Sequence, residues 1–347
     1  MWNKKQLSDV CTIKKGSQVN RTALSHSGDY YVLNGGMEPS GYLDRYNTEA
    51  NTISISEGGN SCGYVAYNIE PFWSGGHNYT LSELEIEKLY LYYFLKCNES
   101  KIMNLRVGSG LPNIQRKMVE AFPVYYPVDI KEQRRIAAVL TAADEAITAS
   151  RALVKKYDAV KQGLMQDLLG KGERMKLERC LRICYGKDQK QIEATDGIYP
   201  ILGSGGEMGR TNTYLYNKPS VLIGRKGTID NPLYIETPFW SIDTMYYTEI
   251  FNGYLPKYLY YVFTLIPWYK YNEASGVPSL SGSTIHKIEV NIPDLNEQIR
   301  IVEILTAADE RLNIERERLK KLEHIKLGLM NDLLTSRVST DVLQGGN

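Results

Sequence analysis

The sequence lacks long apolar runs. No segment is long enough to span a membrane, and Met1-Trp2-Asn3-Lys4-Lys5 leads into no apolar core of signal-peptide length. We therefore expect a cytoplasmic protein with no membrane partner. The five cysteines form no Cys-x-x-Cys pair, and the four histidines are scattered. Because a zinc site or a disulfide framework needs such ligands at characteristic spacings, neither is predicted.

Motifs for catalysis are lacking as well. The chain has no Gly-x4-Gly-Lys-Ser/Thr phosphate loop. A DNA adenine or cytosine methyltransferase would need a glycine-rich cofactor loop and an Asn/Asp-Pro-Pro-aromatic element. The nearest approach, Asp230-Asn231-Pro232-Leu233, lacks the second proline and the aromatic ring. We therefore predict a chain that is not an enzyme, with no catalytic residue, no metal site and no cofactor of its own.

An excess of charge of one sign is also missing, because 41 Lys and Arg face 40 Asp and Glu, for a net charge of +1. A protein that binds DNA alone usually shows a clear basic excess. The balance neither indicates nor excludes a nucleic-acid ligand. Partner subunits could supply cationic surface, or the positive charge could be confined to one face.

What the sequence does contain is a repeat at a constant offset of 165 residues. The fourteen residues that begin at Glu132 return at Glu297 with ten identities, and both copies include Leu-Thr-Ala-Ala-Asp-Glu. The nine residues that begin at Lys161 return at Lys326 with the same offset, and both copies end in Asp-Leu-Leu. No residue is gained or lost between the copies. A fixed length therefore matters, which indicates a spacer or an interface more than an active site.

Both copies of the repeat are predicted to be long helices that pair. Their apolar residues recur at steps of three and four, the heptad spacing of helices that meet along one narrow stripe. Asp129 and Asp294 precede these stripes as N-caps, each with a Glu three residues later. A helix of about 40 residues is ~60 Å long, so a lone one would expose its whole stripe. The simplest solution is antiparallel pairing through Ile136, Leu140, Ala143, Ile147, Leu164, Leu168, Ile301, Leu305, Ala308, Leu312, Leu329 and Leu333.

The predicted fold class is α+β, with two β-rich domains each followed by a long α-helix. The two helices pair as an antiparallel coiled coil with pseudo-two-fold symmetry. The segments that precede the helices contain short runs of Tyr, Val and Ile between glycine-rich turns, which favour β-structure. The predicted divisions are a first β-rich domain at 1–128, a helix at 129–172, a second β-rich domain at 173–293, a helix at 294–336 and a C-terminal tail at 337–347.

The loops of both β-rich segments carry side chains that can read base edges. Arg and Lys donate to guanine, whereas Asn and Gln pair with adenine, and neighbouring glycines let the backbone approach a partner closely. The chain also has 26 Tyr against 6 Phe, which suits either a half-buried recognition surface or tyrosine-rich β-structure. For any one of these residues, the ordinary alternative is a solvated surface side chain that contacts no partner. The candidates for DNA binding are Lys15, Gln18, Arg21, Asn34, Asn60, His77, Asn78, Arg106, Asn113, Gln115 and Arg116 in the first segment, and Lys187, Gln189, Lys190, Ser204, Arg210, Arg225, Lys226, Ser279, Ser281 and Thr284 in the second.

This layout resembles the specificity subunit of type I restriction–modification systems, which serve host defence. The motifs that carry the resemblance are Asp129-Ile130-Lys131-Glu132-Gln133 and Asp294-Leu295-Asn296-Glu297-Gln298, the repeated Leu-Thr-Ala-Ala-Asp-Glu, and the closing Gly-Leu-Met-x-Asp-Leu-Leu. The resemblance covers essentially the whole chain. It implies two variable target-recognition domains, each reading one half of a bipartite double-stranded DNA site through the major groove. The two helices would set the gap between the half-sites.

The resemblance also implies protein partners. Two modification (methyltransferase) subunits, which carry S-adenosylmethionine and methylate adenine, would dock on the helices, and a restriction subunit with translocase and nuclease activity can join them. Both recognition segments are compact for the family, which leaves open how many bases each reads. Two alternatives from other classes also stay open. One is a DNA methyltransferase acting alone, against which the missing motifs argue, and the other is a structural coiled-coil adaptor that binds no DNA.

Overall fold

In a computed structural model the chain is described over residues 1–335 and 337, except for 109 and 111. The predicted C-terminal tail lies outside the described residues apart from residue 337. The chain forms two compact units. Unit 1 combines Met1–Arg151 with the described residues from Glu317 onward, and unit 2 is Ala152–Arg316. Each compact unit therefore contains one β-rich region and parts of both long helices. The division into recognition domains and helices stays a prediction.

Unit 1 contains nine strands and three short helices in its described part. The strands are β1 Trp2–Gln6, β2 Thr12–Lys15, β3 Tyr30–Leu33, β4 Tyr42–Leu43, β5 Thr52–Ser56, β6 Val65–Asn68, β7 Trp73–Ser74, β8 Asn78–Ser82 and β9 Pro123–Pro127. The helices are α1 Lys88–Cys97, α2 Glu99–Met103 and α3 Arg116–Glu120, and they are followed by the long helix α4 Ile130–Leu169.

The strands of unit 1 form three small sheets. A four-stranded antiparallel sheet has the order β2-β8-β5-β6, a three-stranded sheet has the order β4-β3-β7, and β1 pairs with β9. β5 is buried from Ile53 to Ser56, which explains its two isoleucines, Ile53 and Ile55. The core of the unit joins this sheet to α1 and to both long helices.

Unit 2 repeats this plan. Its strands are β10 Glu173–Lys176, β11 Leu181–Tyr185, β12 Tyr199–Gly203, β13 Gly206–Thr211, β14 Ser220–Gly224, β15 Leu233–Ile235, β16 Trp240–Ser241, β17 Met245–Ile250 and β18 Glu289–Ile292. Its helices are α5 Pro256–Leu265 and α6 Gly282–Lys287, and they are followed by the long helix α7 Leu295–Leu333. The sheets have the orders β11-β17-β14-β15, β13-β12-β16 and β10-β18. Because the strand orders match those of unit 1, the two β-rich regions share one fold.

Both long helices begin with the predicted aspartate caps. The Asp129 carboxylate accepts from Lys131 N at 2.9 Å, and the Asp294 carboxylate accepts from Glu297 N at 3.0 Å. These contacts satisfy amide groups that a first helical turn leaves without helical partners.

In unit 1 the two long helices pair in an antiparallel way. Ile136 and Leu140, near the start of α4, share one core with Leu333, at the end of α7. Asp144 Oδ1 then lies 2.5 Å from Lys326 Nζ, and further along Arg151 pairs with Glu323 at 2.6 Å. Residues with increasing numbers along α4 therefore contact residues with decreasing numbers along α7. The predicted antiparallel pairing is confirmed in this unit.

Unit 2 repeats the pairing with the roles of the helices exchanged. Ile301 and Leu305, near the start of α7, share a core with Leu169, at the end of α4. Asp309 Oδ1 lies 2.5 Å from Lys161 Nζ. Since Asp309 and Lys326 lie 165 positions after Asp144 and Lys161, both units contain the same ion pair. Such an exchange is what the predicted pseudo-two-fold repeat requires.

The predicted stripe is accurate at one end of each helix and displaced at the other. Ile136, Leu140, Ile147, Ile301, Leu305, Leu312 and Leu333 are buried, whereas Ala143, Leu164, Leu168, Ala308 and Leu329 are only partly buried. Toward the helix ends Met165, Leu169, Met330 and Leu334, each one position after a predicted leucine, are buried as well. The reason is that each helix end also packs against a β-rich region, so that its buried face turns away from a strict heptad seam.

Candidate nucleic-acid interface

In unit 1 the candidates meet around the turn that follows β5. Glu57 N donates to His77 O at 2.9 Å, and Ile114 N donates to Glu57 O at 2.8 Å. Gly59, which has a φ of 79°, donates from its N–H to Pro112 O at 2.9 Å. Three loops that are distant in sequence are therefore held side by side, and with them the predicted residues Asn60, His77 and Asn113.

The side chain of Glu57 is the centre of this turn. Its Oε1 lies 2.6 Å from Lys15 Nζ and accepts from Tyr79 OH at 2.8 Å, while its Oε2 lies 3.6 Å from His77 Nδ1. Only 12% of the side chain is exposed. Burial and the bond to Glu57 raise the pKa of Tyr79, so that the phenol stays a donor. Sequence reasoning missed Glu57, since it considered donors and amides only; its position directly after a buried strand and before two glycines was the available signal.

A second group of predicted residues in unit 1 lines one cleft. Gln18, Arg21 and Asn34 face this cleft together with Ser40. Asn34 also connects the cleft to the turn, because its Oδ1 accepts from His77 N at 3.1 Å. The remaining candidates Arg106, Gln115 and Arg116 are exposed, although Arg116 is paired with Glu120 at 2.7 Å.

The corresponding turn of unit 2 follows β14. Arg225 N donates to Thr244 O at 2.8 Å, Leu280 N donates to Arg225 O at 2.9 Å, and Gly227 N donates to Pro278 O at 2.9 Å. This is the hydrogen-bond pattern of the turn after β5, at matching positions. Lys226 and Ser279 form a β-bridge here, so three predicted residues of unit 2 lie together.

Arg225 is held in a defined orientation. Its Nη1 donates to Asp243 O at 3.1 Å, and its Cζ lies 5.5 Å from the centre of the Tyr185 ring, a cation–π distance. Tyr185 in turn packs edge-on against Tyr246. Burial raises the pKa of Tyr246 to about 12, so this phenol is neutral at physiological pH.

The loops that precede these turns are fixed by their backbones. Trp73 Nε1 donates to Ser17 O at 2.9 Å, and Trp240 Nε1 donates to Lys187 O at 2.9 Å. The glycine before each of these carbonyl residues lies against another backbone. A Cβ on Gly186 would lie 1.8 Å from Ile242 O, so no larger residue fits. The loops with Gln18 and Gln189 therefore start from the same anchored geometry.

The other candidates of unit 2 surround this anchored turn or lie beyond it. A Cβ on Gly227 would lie 3.1 Å from Ser204 Oγ, which places Ser204 at the turn. Lys187 and Lys190 are exposed and Gln189 is partly exposed. Arg210, by contrast, is paired with Glu207 at 3.1 Å.

Three of the predicted side chains form hydrogen bonds within the fold, and their contact with DNA stays a prediction. Asn78 is only 3% exposed, and its amide donates to Ser74 Oγ at 3.2 Å. The Ser281 hydroxyl caps α6 by accepting from Thr284 N at 3.2 Å. The hydroxyls of Ser281 and Thr284 both donate to Glu273, and these bonds lower the pKa of that carboxyl. Sequence alone shows polar residues beside glycines and not which of them are already bonded.

Within the described residues no group of His, Cys, Asp and Glu could hold a metal ion. No helix there is long and apolar enough to cross a membrane. The turns after β5 and β14 can contact a ligand through hydrogen bonds and charged side chains.

Comparison with known proteins places the chain among DNA specificity proteins. The family model of the type I restriction modification DNA specificity domain matches residues 1–155 and 183–324. A protein described as a type I specificity subunit of Mycoplasma pneumoniae is 30% identical over 266 residues, which cover 69% of this chain and 70% of the relative. The specificity subunit of a type I restriction enzyme of Methanocaldococcus jannaschii is 24% identical over 304 residues, covering 73% and 71% of the two chains.

Solved structures show the same fold. The crystal structure of a type I restriction–modification S subunit from M. genitalium superimposes with a TM-score of 0.77 over 96% of both chains, at 23% identity. The family match spans well over half of the sequence, and it includes both copies of the fourteen-residue segment, at 132–145 and 297–310. The chain belongs to the family of type I restriction–modification DNA specificity subunits.

Proposed function

We propose that this chain reads a bipartite double-stranded DNA site, with one half-site for each β-rich region, and brings modification subunits to it. The observation that carries the proposal is the shared backbone frame of the two turns, on which Glu57 and Arg225 occupy matching positions. Two domains that recognise different base sequences can share one backbone conformation and differ in the side chains that it positions. Base contacts made by such side chains specify a sequence, whereas phosphate contacts position the protein.

The partners would be two modification (methyltransferase) subunits, which carry S-adenosylmethionine. The repeat supports this stoichiometry, because Asp144 with Lys326 and Lys161 with Asp309 present the same helix pair twice. Two identical partners can bind two equivalent surfaces. The net charge of +1 also suits a chain whose partners contribute cationic surface around the DNA. A restriction subunit can join this assembly, which acts in the cytoplasm where the DNA lies.

Co-expression with the modification subunit tests the proposal. Sequencing of methylated bases in the host genome should show one motif made of two half-sites and a gap, and only when both subunits are present. Methyl transfer by this chain alone would show instead that it is the enzyme.

A binding series separates DNA recognition from a purely structural role. Random-sequence duplex DNA is titrated at rising salt, with and without the modification subunit. Since phosphate contacts release counterions, affinity should fall steeply with salt in the complex. Lack of DNA affinity in both samples would favour the coiled-coil adaptor.

A further inference from the structure

Residues 57 and 225 occupy the same place in the two units. Each follows the central buried strand of its four-stranded sheet, β5 or β14. Each accepts a backbone hydrogen bond at its carbonyl, from Ile114 N and Leu280 N, and each precedes a turn that is closed by a glycine with positive φ. Their backbones are therefore equivalent, so a difference between the two positions is a difference of side chain.

The neighbours of these residues are equivalent as well. Lys15 pairs with Tyr79 across the β2–β8 register, and Tyr185 pairs with Tyr246 across the β11–β17 register. Tyr79 OH lies 3.0 Å from Ile114 O, and Tyr246 OH lies 3.2 Å from Leu280 O. Position 15 thus corresponds to 185.

The turn position carries opposite charge in the two units. In unit 1 the turn carries the carboxylate of Glu57, and the strand supplies the cation of Lys15, 2.6 Å away. In unit 2 the turn carries the guanidinium of Arg225, and the strand supplies the aromatic ring of Tyr185. A planar fork of donors therefore stands at the turn of unit 2, whereas unit 1 has an acceptor neutralised by a flexible ammonium.

The side chain of Arg225 has donors to spare. A guanidinium has five N–H donors, and the structure gives this one a single hydrogen bond, to the carbonyl of Asp243. None of the ion pairs found in the described part of the chain includes Arg225, in contrast to Arg182 and Arg210. The stacked ring of Tyr185 limits the rotation of the guanidinium. An oriented guanidinium with no carboxylate partner is suited to the O6 and N7 acceptors of guanine.

We propose, on the basis of the function proposed above, that Arg225 is a specificity-determining residue that reads a guanine in the half-site of unit 2. At the matching place in unit 1, Glu57 is a positioning residue that holds Lys15. The inversion of charge between positions 57 and 225 is then one physical source of the difference between the two half-sites.

The test uses the full chain in complex with its modification subunit, and duplex libraries in which one half-site at a time is randomised. Methylated products are sequenced. Arg225→Gln should lower the preference for guanine at one base pair of one half-site by roughly 5- to 100-fold and raise that for adenine, because Gln pairs with adenine. The other half-site should be unchanged.

Two further variants keep the test decisive. Arg225→Lys retains the charge but loses the planar fork, so it should weaken the preference for guanine without creating one for adenine. Arg182→Gln removes an exposed arginine of β11, the strand that carries Tyr185. Arg182 pairs with Glu249, and its replacement should leave both half-sites unchanged. Thermal melting shows whether each variant is folded. If Arg225→Gln does not fold, the base preference of Arg225→Lys decides the test.

The results that overturn the proposal differ from those that overturn the function. Equal weakening on all sequences, with recovery in Arg225→Lys, would make Arg225 a phosphate contact. A changed preference in both half-sites, or an unchanged one in either Arg225 variant, would also reject it. If the wild-type complex shows no bipartite motif, the proposed function itself fails.

Discussion

At the scale of single residues, a buried glutamine joins each long helix to its β-rich region. Gln133 is 2% exposed, accepts from Glu87 N at 2.8 Å and donates to Pro127 O at 2.7 Å. Gln298 makes the matching bonds, with Leu255 N at 2.9 Å and Pro293 O at 3.0 Å. One side-chain amide thus satisfies two backbone groups that would otherwise be buried without partners.

We expect Gln133→Ala to destabilise the protein by ~2–4 kcal/mol, because it leaves one buried donor and one buried acceptor without partners. The measurement is urea unfolding followed by circular dichroism. Gln162→Ala is the matched control, since Gln162 is an exposed residue of the same helix, and it should change stability by less than about 0.5 kcal/mol. Equal losses in both variants would contradict a structural role of the buried amide.

At the scale of elements, the paired helices carry a duplicated ion pair. Asp144 and Lys326 are only partly exposed, and Tyr93 OH also donates to Asp144 at 3.0 Å. Asp309 has the same arrangement, with Lys161 and with Tyr261 OH at 2.8 Å. Each aspartate thus binds a lysine of the other long helix and a tyrosine hydroxyl. The two aspartates fix the register of the helix pair at two places.

A double-mutant cycle on Asp144→Asn and Lys326→Gln should give a coupling energy of about 0.5–1.5 kcal/mol from urea unfolding. The cycle on Glu317 and Lys320 is the comparison. That pair lies on α7 with about two thirds of each side chain exposed, so solvent screens it and its coupling should stay below about 0.5 kcal/mol. Coupling energies of the same size would mean that burial does not strengthen the inter-helix pair.

The elements also show what sequence can predict and where it stops. The long helices and their antiparallel pairing follow from local spacing, which a heptad pattern records directly. The burial of Met165 and Met330 does not, because it depends on the β-rich regions packed against the helix ends. The role of Glu57 was hidden for a similar reason: its partners Lys15 and Tyr79 come from strands far away in sequence.

At the scale of the whole molecule, the two units keep one frame and differ in the side chains that they place on it. The ion pairs, the buried glutamines and the tryptophan anchors recur in both units. The side chains at positions 57 and 225 of the two turns differ, being Glu57 and Arg225. Under the proposed function, DNA recognition and assembly would rest on different residues.

Replacing residues 173–293 with the second domain of another family member should change one half of the methylated motif and preserve the other. The physical reason is that the hydrogen bonds of the first turn all lie within unit 1. Sequencing of methylated genomic DNA measures the result. A change in both halves would show that the domains read the DNA jointly.

Stability should fall at alkaline pH. Burial raises the pKa of the Cys11 thiol to about 12 and that of Cys180 to about 11, from an ordinary value of 9.0. Between pH 9 and the raised pKa of each thiol, the folded chain keeps a proton that the unfolded chain has lost. Unfolding therefore becomes easier as pH rises above 9. Urea unfolding across this range should show a shallower decline in Cys11→Ala than in the wild type. Parallel declines would exclude the Cys11 thiol as a cause.

The tryptophan anchors have an evolutionary consequence. Trp73 and Trp240 hold their loops through the backbone carbonyls of Ser17 and Lys187, and every residue type has such a carbonyl. Replacing the side chain at position 17 or 187 therefore leaves the anchor intact. A lineage can accumulate changes in these loops while the domain stays folded, so natural selection can act on the loop side chains separately from stability.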